Sequence, residues 1–311
     1  MNILVTGGAG FIGSHLIDRL LEKNHKVTCI DNFTLGNIDN LQNALMSTEF
    51  ELIEMDLLHK NELNTVFKKN SFEEVYHLAA NSDIQKGIES TNRDLELTFQ
   101  TTVNVLEGMR LNNVEKILFT SSPTVFGSHN SPLTEELTMK PESLYGAAKL
   151  ASEAYIRAFS SLYNIQSWII RLSNTVGERA THGILFDFLN KIKVNPDELI
   201  VLGDGTQSKP YMYVHELIDS IFFVMNKSNN LINVFNVGPK DEIEVSEIAR
   251  IFLENFGQHQ KIKYTGGKIG WKGDISKYSH NSQKINQLGW EPKLTSKEAI
   301  IKTVQKIKEL S

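Results

Sequence analysis

The sequence predicts an α/β fold, a doubly wound parallel sheet joined to a smaller, mixed α/β lobe. Three observations predict it. Short apolar runs alternate with longer, helix-spaced segments through the first half of the chain. The runs lack clean polar alternation, as expected of strands covered on both faces. Their order, strand then helix then strand, is that of right-handed crossover units.

Asn2–Thr6 reads as a strand, His15–Lys23 as a helix and Lys26–Ile30 as a second strand. Phe50–Glu54, Glu74–Leu78, Lys116–Thr120 and Trp168–Leu172 are further strands. Leu95, Phe99, Val103 and Leu106 recur at helical spacing and predict a helix over Leu95–Arg110. Leu144–Tyr163 reads as another helix. Beyond about Arg171 the regularity weakens, with Gly203-Asp204-Gly205 and Tyr264-Thr265-Gly266-Gly267 as turn-rich stretches. The expected division is a nucleotide-binding domain over 1–172 and a ligand-binding lobe over 173–311. Segments at about 207–237 are expected to return to the first domain.

Composition bounds the function. The chain has 311 residues, 41% hydrophobic and 22% charged, enough to bury a substantial core. A net charge of −5 argues against a nucleic-acid binder, which carries a basic stripe. The single cysteine, Cys29, lies in an apolar run, so neither an internal disulfide nor a cysteine-rich zinc site is expected. There is no basic, then apolar, leader and no run of about eighteen apolar residues. The expectation is a cytoplasmic protein.

Directly after the first strand comes Gly7-Gly8-Ala9-Gly10-Phe11-Ile12-Gly13. Gly7, Gly10 and Gly13 suit a tight turn, close approach of backbone to a pyrophosphate, and helix-on-strand packing. The helix that follows offers free N–H groups and a positive dipole end to phosphates. Asp31 ends the second strand, eighteen residues after Gly13. A carboxylate there accepts from ribose hydroxyls and repels a 2′-phosphate, which favours NAD over NADP. Asn32, Asp56, Leu57, Leu78, Ala79 and Ala80 follow the ends of the second, third and fourth strands, where ligands gather in open α/β sheets.

Tyr145 and Lys149 are four apart at the start of a helix, on one face. A phenol near pKa 10 is a poor base at neutral pH. A nearby ammonium and a cationic nicotinamide would both favour the phenolate. Tyr145 would then take a proton from a substrate hydroxyl, with Lys149 beside it and on the nicotinamide ribose. Thr120-Ser121-Ser122 ends the fifth strand and offers a hydroxyl to the same oxygen.

Five motifs occur in one order: Thr6 to Gly13; His77-Leu78-Ala79-Ala80; Ser121 to Gly127; Tyr145-Gly146-Ala147-Ala148-Lys149; and Arg171-Leu172-Ser173-Asn174. In this the chain resembles the extended short-chain dehydrogenases, within them the nucleotide-sugar epimerase/dehydratase family, and most its UDP-glucose 4-epimerase branch. Gly203 to Gln207, Tyr213-Val214, Asn236-Val237-Gly238, Gly273-Asp274 and Leu288 to Pro292 continue the likeness. The resemblance implies a Rossmann-type cofactor domain, bound NAD, no metal, a UDP-sugar substrate and a homodimer built on Leu95–Arg110 and Leu144–Tyr163. It implies Ser122 as the catalytic hydroxyl, Tyr145 as the base and Lys149 as its partner, with Thr120 beside the cofactor. Ser122, Thr124, Asn174, Lys209, Tyr211 and Asp274 are implied at the substrate. The implied reaction is epimerisation at C4 through a 4-keto sugar.

The chain departs from the family pattern at several positions. Phe126 stands in place of a tyrosine and Thr98 in place of an asparagine. Lys209-Pro210 replaces an Arg-Asp pair, and Trp271 replaces an arginine that clamps the diphosphate. A bidentate guanidinium is not reproduced by Lys or Trp, though Lys209, Lys268 and Lys272 could supply charge. Thr181-His182-Gly183 falls where relatives place a substrate loop. A 4,6-dehydratase would need an acidic pair where Pro123-Thr124 stands. A 4-ketoreductase on the same fold would consume free reduced cofactor. A non-catalytic dinucleotide sensor would have no need of both Tyr145 and Lys149.

Overall fold

The first strand of the computed structural model begins at Asn2; the structure describes residues 1–129, 132–256, 260–270, 273 and 275–310. In the first half run β1 (Asn2–Thr6), β2 (Lys26–Asp31), β3 (Phe50–Glu54), β4 (Glu74–His77), β5 (Lys116–Ser121) and β6 (Gln166–Leu172). Then come β7 (Asn174–Val176), β8 (Glu198–Val201), β9 (Ser208–Lys209), β10 (Tyr211–Tyr213), β11 (Ile232–Val237), β12 (Ile243–Glu244) and β13 (Lys261–Tyr264). The central sheet has the order β3-β2-β1-β4-β5-β6-β11, with every pair parallel. This is the doubly wound Rossmann arrangement, with its topological switch between β1 and β4.

Both faces of the sheet are covered, which is why its strands read as unbroken apolar runs. Ile3 and Val5 face Leu16, Ile17 and Leu20 of the helix Phe11–Glu22, together with Leu217 and Ile221 of the helix Val214–Lys227. Leu4, between them, faces the opposite way, into a cluster with Leu63, Phe67, Val105, Met109 and Ile156. Each such apolar side chain contributes roughly 1.5–3 kcal/mol by leaving water. Cys29 is buried in the first cluster and unpaired.

The expected strands and the helix Leu144–Tyr163 stand where the sequence places them, with a shift of one or two residues at one end each of β2, β4, β5 and β6. The first helix begins earlier, at Phe11, because Gly10 itself is its N-cap. The expected helix over Leu95–Arg110 is instead a π-helical turn, Leu95–Gln100, followed by an α-helix, Thr101–Leu111. Hydroxyls drive the change: Thr101 and Thr102 donate back to the Thr98 carbonyl at 3.2 and 2.7 Å, and so compete with the regular backbone ladder. β11 carries no clear sequence signal because Asn233 and Asn236 interrupt it. Both are buried and bonded to backbone carbonyls, Asn236 to that of Leu133 at 2.9 Å.

The later part of the chain builds a separate core. Leu185, Phe188, Ile248, Phe252, Ile300 and Val304 pack there beneath short two-strand pairings, β7 with β10, β9 with β12 and β8 with β13. A parallel pair, Tyr211 opposite Asn174, carries residues of this part to the mouth of the cleft at the sheet's carboxyl edge.

Candidate active site

A cleft of about 1200 Å³ opens at the carboxyl ends of the central strands. The glycine loop forms its floor. Gly7 has φ +71°, and a Cβ there would come within 2.6 Å of the Ala79 backbone nitrogen. A Cβ on Gly13 would meet the Gly7 carbonyl oxygen at 2.3 Å. Neither position therefore admits a side chain. No side chain caps the helix Phe11–Glu22, so the N–H groups of its first turn face the cleft, lined there by Gly10, Phe11 and Ile12.

Asp31 has a double role. Its Oδ2 accepts from the Ala9 backbone N–H and its Oδ1 from that of Phe33, both at 2.9 Å. It therefore pins the glycine loop to the end of β2 while lining the cleft. Burial pushes its carboxyl up, against the pull of those N–H bonds. Asn32 donates to Asp56 Oδ2 at 3.0 Å, and Asp56 Oδ1 accepts from the Leu58 N–H at 2.9 Å. Leu57, Leu78, Ala79, Ala80 and Thr120 complete this wall. A glycine cradle, uncapped N–H groups and a carboxylate at the tip of β2 fit a dinucleotide.

Ser122, Tyr145 and Lys149 meet in the same cleft. Ser143 caps the helix Leu144–Tyr163 by accepting from the Gly146 N–H at 3.0 Å, which sets Tyr145 and Lys149 on its first turns. Ser122 accepts from the Thr124 hydroxyl at 2.9 Å and from its N–H at 3.3 Å. Lys149 is buried; its Nζ donates to the Thr120 carbonyl at 2.7 Å and lies 4.6 Å from the Phe119 ring centre and 5.8 Å from that of Tyr145. Burial lowers the Lys149 ammonium to about 7, against the charges of Glu153 and Asp94. Burial pushes the Tyr145 phenol up to about 12; a hydrogen bond with Ser122 opposes this and the Asp94 charge adds to it.

Desolvation is thus the largest influence on the Tyr145 phenol in the free protein.

Of the neighbours, Asp94, Asn81 and Glu153 carried no signal in the sequence, whereas Thr98, His77 and Arg171 stood in or against its motifs. Asp94 is buried, accepts from Asn81 Nδ2 at 2.8 Å through Oδ1, and leaves Oδ2 unbonded. Its charge acts on both Tyr145 and Lys149. Thr98, at the position of the family's asparagine, is fully buried and accepts from the Asn81 N–H at 3.0 Å. Behind Lys149, Glu153 is held by Arg171 at 2.9 and 2.7 Å and by the Ser121 hydroxyl at 2.6 Å. His77 is buried between the hydroxyls of Thr6 and Thr102, and burial lowers it to about 3. It is a structural, neutral imidazole.

Of the residues expected at the substrate, Thr124, Asn174, Lys209 and Tyr211 line the cleft, as do Thr181, His182 and Gly183. The Tyr278 hydroxyl reaches Asn174 Oδ1 at 3.5 Å. Lys268 does not line the cleft. Trp271, Lys272 and Asp274 lie outside the described residues.

Residues 3–238 match the model of the NAD-dependent epimerase/dehydratase family. The chain is 32% identical to a putative UDP-glucose 4-epimerase of Methanocaldococcus jannaschii over 98% of each chain. It is 26% identical to a UDP-N-acetyl-alpha-D-glucosaminuronate decarboxylase of Bacillus cytotoxicus, over 99% of this chain and 98% of that one. Among solved structures, the UDP-glucose 4-epimerase of Thermotoga maritima, crystallised with UDP-glucose, superposes with a TM-score of 0.89 at 28% identity. The match covers 100% of this chain and 99% of that one.

Proposed function

The chain belongs to the NAD-dependent epimerase/dehydratase family, and we propose that within it the protein inverts C4 of a nucleotide-diphosphate sugar, a UDP-hexose first. What supports this most directly is the meeting of Ser122, Tyr145 and Lys149 at the wall that carries the dinucleotide cradle. Of the named relatives, the two called 4-epimerases, at 32% and 28% identity, support the choice of a 4-epimerase; the decarboxylase stands at 26%.

NAD, when bound, would supply a hydride acceptor and donor. The rest falls to the chain. Gly7, Gly10, Phe11, Ile12 and Gly13 would hold the pyrophosphate, Asp31 and Asn32 the adenosine ribose, and Asp56, Leu57, Leu78, Ala79 and Ala80 would flank the dinucleotide. Ser122 orients the 4-hydroxyl of the sugar toward Tyr145. Tyr145 would take the proton of the 4-hydroxyl as C4 gives up its hydride to the cofactor, and would return that proton to the same oxygen when the hydride comes back to C4 from the opposite face. Lys149, at about 7, can hold or release a proton near neutral pH behind it. Thr124, Asn174, Lys209, Tyr211 and Asp274 are our candidates for holding the nucleotide sugar.

Pro123 and Thr124 occupy the positions where elimination chemistry would need acids, and the Thr124 hydroxyl is engaged on Ser122. We assign residues 1–172, with about 207–237, to the cofactor domain and the remainder to substrate binding. We also propose a cytoplasmic homodimer formed through the faces of Leu95–Arg110 and Leu144–Tyr163. Leu95 and Leu162 on those faces are 51% and 73% exposed. A dimer predicts twice the 35.1 kDa chain mass by light scattering, and the single-chain mass at micromolar concentration would contradict it. The proposed activity predicts that purified protein converts a UDP-hexose to its C4 epimer without added cofactor. A reaction that runs only with reduced cofactor would contradict it.

A further inference from the structure

Away from Ser122 and Tyr145, three metal-ligating side chains converge where the cofactor-side helix meets the loop that closes β7. His15 lies on the helix Phe11–Glu22, Glu178 two residues after β7, and His215 in the first turn of the helix Val214–Lys227. One ligand atom from each falls within 4.8 Å of the others. His215 Nε2 is 3.1 Å from Glu178 Oε1, and His15 Nε2 is 3.1 Å from the Glu178 carbonyl oxygen. The two imidazole rings pack edge to face with centroids 4.9 Å apart.

We propose that His15, Glu178 and His215 bind one divalent transition-metal ion of the zinc or cobalt kind. Two imidazoles and a carboxylate are the donor set that such borderline ions take, with a fourth position left to water. Metal–ligand bonds of roughly 2.0–2.2 Å place neighbouring ligand atoms roughly 3.3–3.6 Å apart. The His215–Glu178 pair is therefore already close to ligand spacing, and a movement of about 1 Å brings in the third atom.

The surroundings prepare these donors. The Tyr213 hydroxyl donates to Glu178 Oε2 at 3.0 Å, leaving Oε1 directed at His215, the way an outer hydrogen bond orients a ligating carboxylate. Arg179 pairs with Asp18 at 2.8 Å and fastens the same loop to the same helix, so the donors sit on rigid supports. Glu178 and its neighbours to Gly183 also line the substrate side of the cleft, while Phe11 and Ile12 line its cofactor side. A bound ion would therefore tie the two sides together. The three residues are 163 and 37 positions apart in pairs, so no spacing motif announces them.

The test is titration of the untagged, cofactor-loaded protein, stripped with a chelator, using cobalt chloride and then zinc chloride. We expect visible d–d absorption saturating at one cobalt per chain, displaced by zinc, and a rise in Tm with zinc. His215→Ala and Glu178→Gln should each weaken binding at least 100-fold, and Tyr213→Phe about tenfold. His215 is exposed, so its variant keeps the fold, which circular dichroism checks. No cobalt bands in the wild type would overturn the site and leave Glu178 a hydrogen-bond hub only. Unchanged affinity in His215→Ala would overturn it equally. Neither result bears on epimerase activity.

Discussion

The ammonium of Lys149 donates to the main-chain carbonyl of Thr120 at 2.7 Å, across the gap between β5 and the helix Leu144–Tyr163. That bond anchors a buried cation directly behind Tyr145, and the resulting desolvation gives Lys149 a distinctive pH behaviour.

Burial takes Lys149 from 10.5 to about 7. Between those values the unfolded chain carries a proton that the folded chain releases, so this group makes stability rise with pH. The penalty is full below about 7 and fades toward 10.5. Lys149→Met should therefore stabilise the cofactor-free protein, by ~1–4 kcal/mol at the acidic end, and by less near pH 10. Urea unfolding at both ends of that window measures it; a larger gain at the alkaline end would contradict the assignment. The variant should lose turnover.

Tyr145→Phe keeps the ring and removes the hydroxyl. Turnover should fall roughly 10²–10⁴-fold, with NAD still bound, read from absorbance and activity of the same sample. Activity within a few-fold of wild type would remove Tyr145 from its role.

Asp31→Asn should weaken NAD binding about 10–100-fold, because a charged acceptor of ribose hydroxyls and loop N–H groups becomes a neutral one. Calorimetry on stripped protein reads the change. Unaltered affinity would mean that Asp31 serves only the loop bonds from Ala9 and Phe33.

Gly13→Ala should abolish cofactor binding and lower Tm, since its Cβ would meet the Gly7 carbonyl oxygen at 2.3 Å and Gly8 Cα at 2.8 Å. Wild-type affinity in the variant would show that the loop yields more easily than this packing allows.

Glu153→Gln leaves the fully buried Arg171 without its carboxylate. A loss of about 3–5 kcal/mol in unfolding free energy is expected. A loss below about 1 kcal/mol would place the pair in a wetter setting than the structure has it.

Much of this was legible in the sequence because it is local. Strand runs, the glycine triplet, the Tyr145–Lys149 spacing and the helix Leu144–Tyr163 depend on residues near one another in the chain. What could not be read arises from tertiary contact. Asp94, held by Asn81, acts by its charge on Tyr145 and Lys149, about fifty positions on, and Glu153 meets Arg171 across 18 residues. The raised phenol of Tyr145 is a desolvation effect, set by what the fold wraps around the hydroxyl rather than by the neighbouring lysine. The same holds for His15, Glu178 and His215.

Product analysis by NMR bears hardest on the proposed epimerisation. Purified protein, with no added cofactor, is given UDP-, GDP-, CDP- and dTDP-hexoses in turn. A UDP-hexose should yield its C4 epimer. Inertness toward every one until reduced cofactor is supplied would contradict the proposal and point to a reductase.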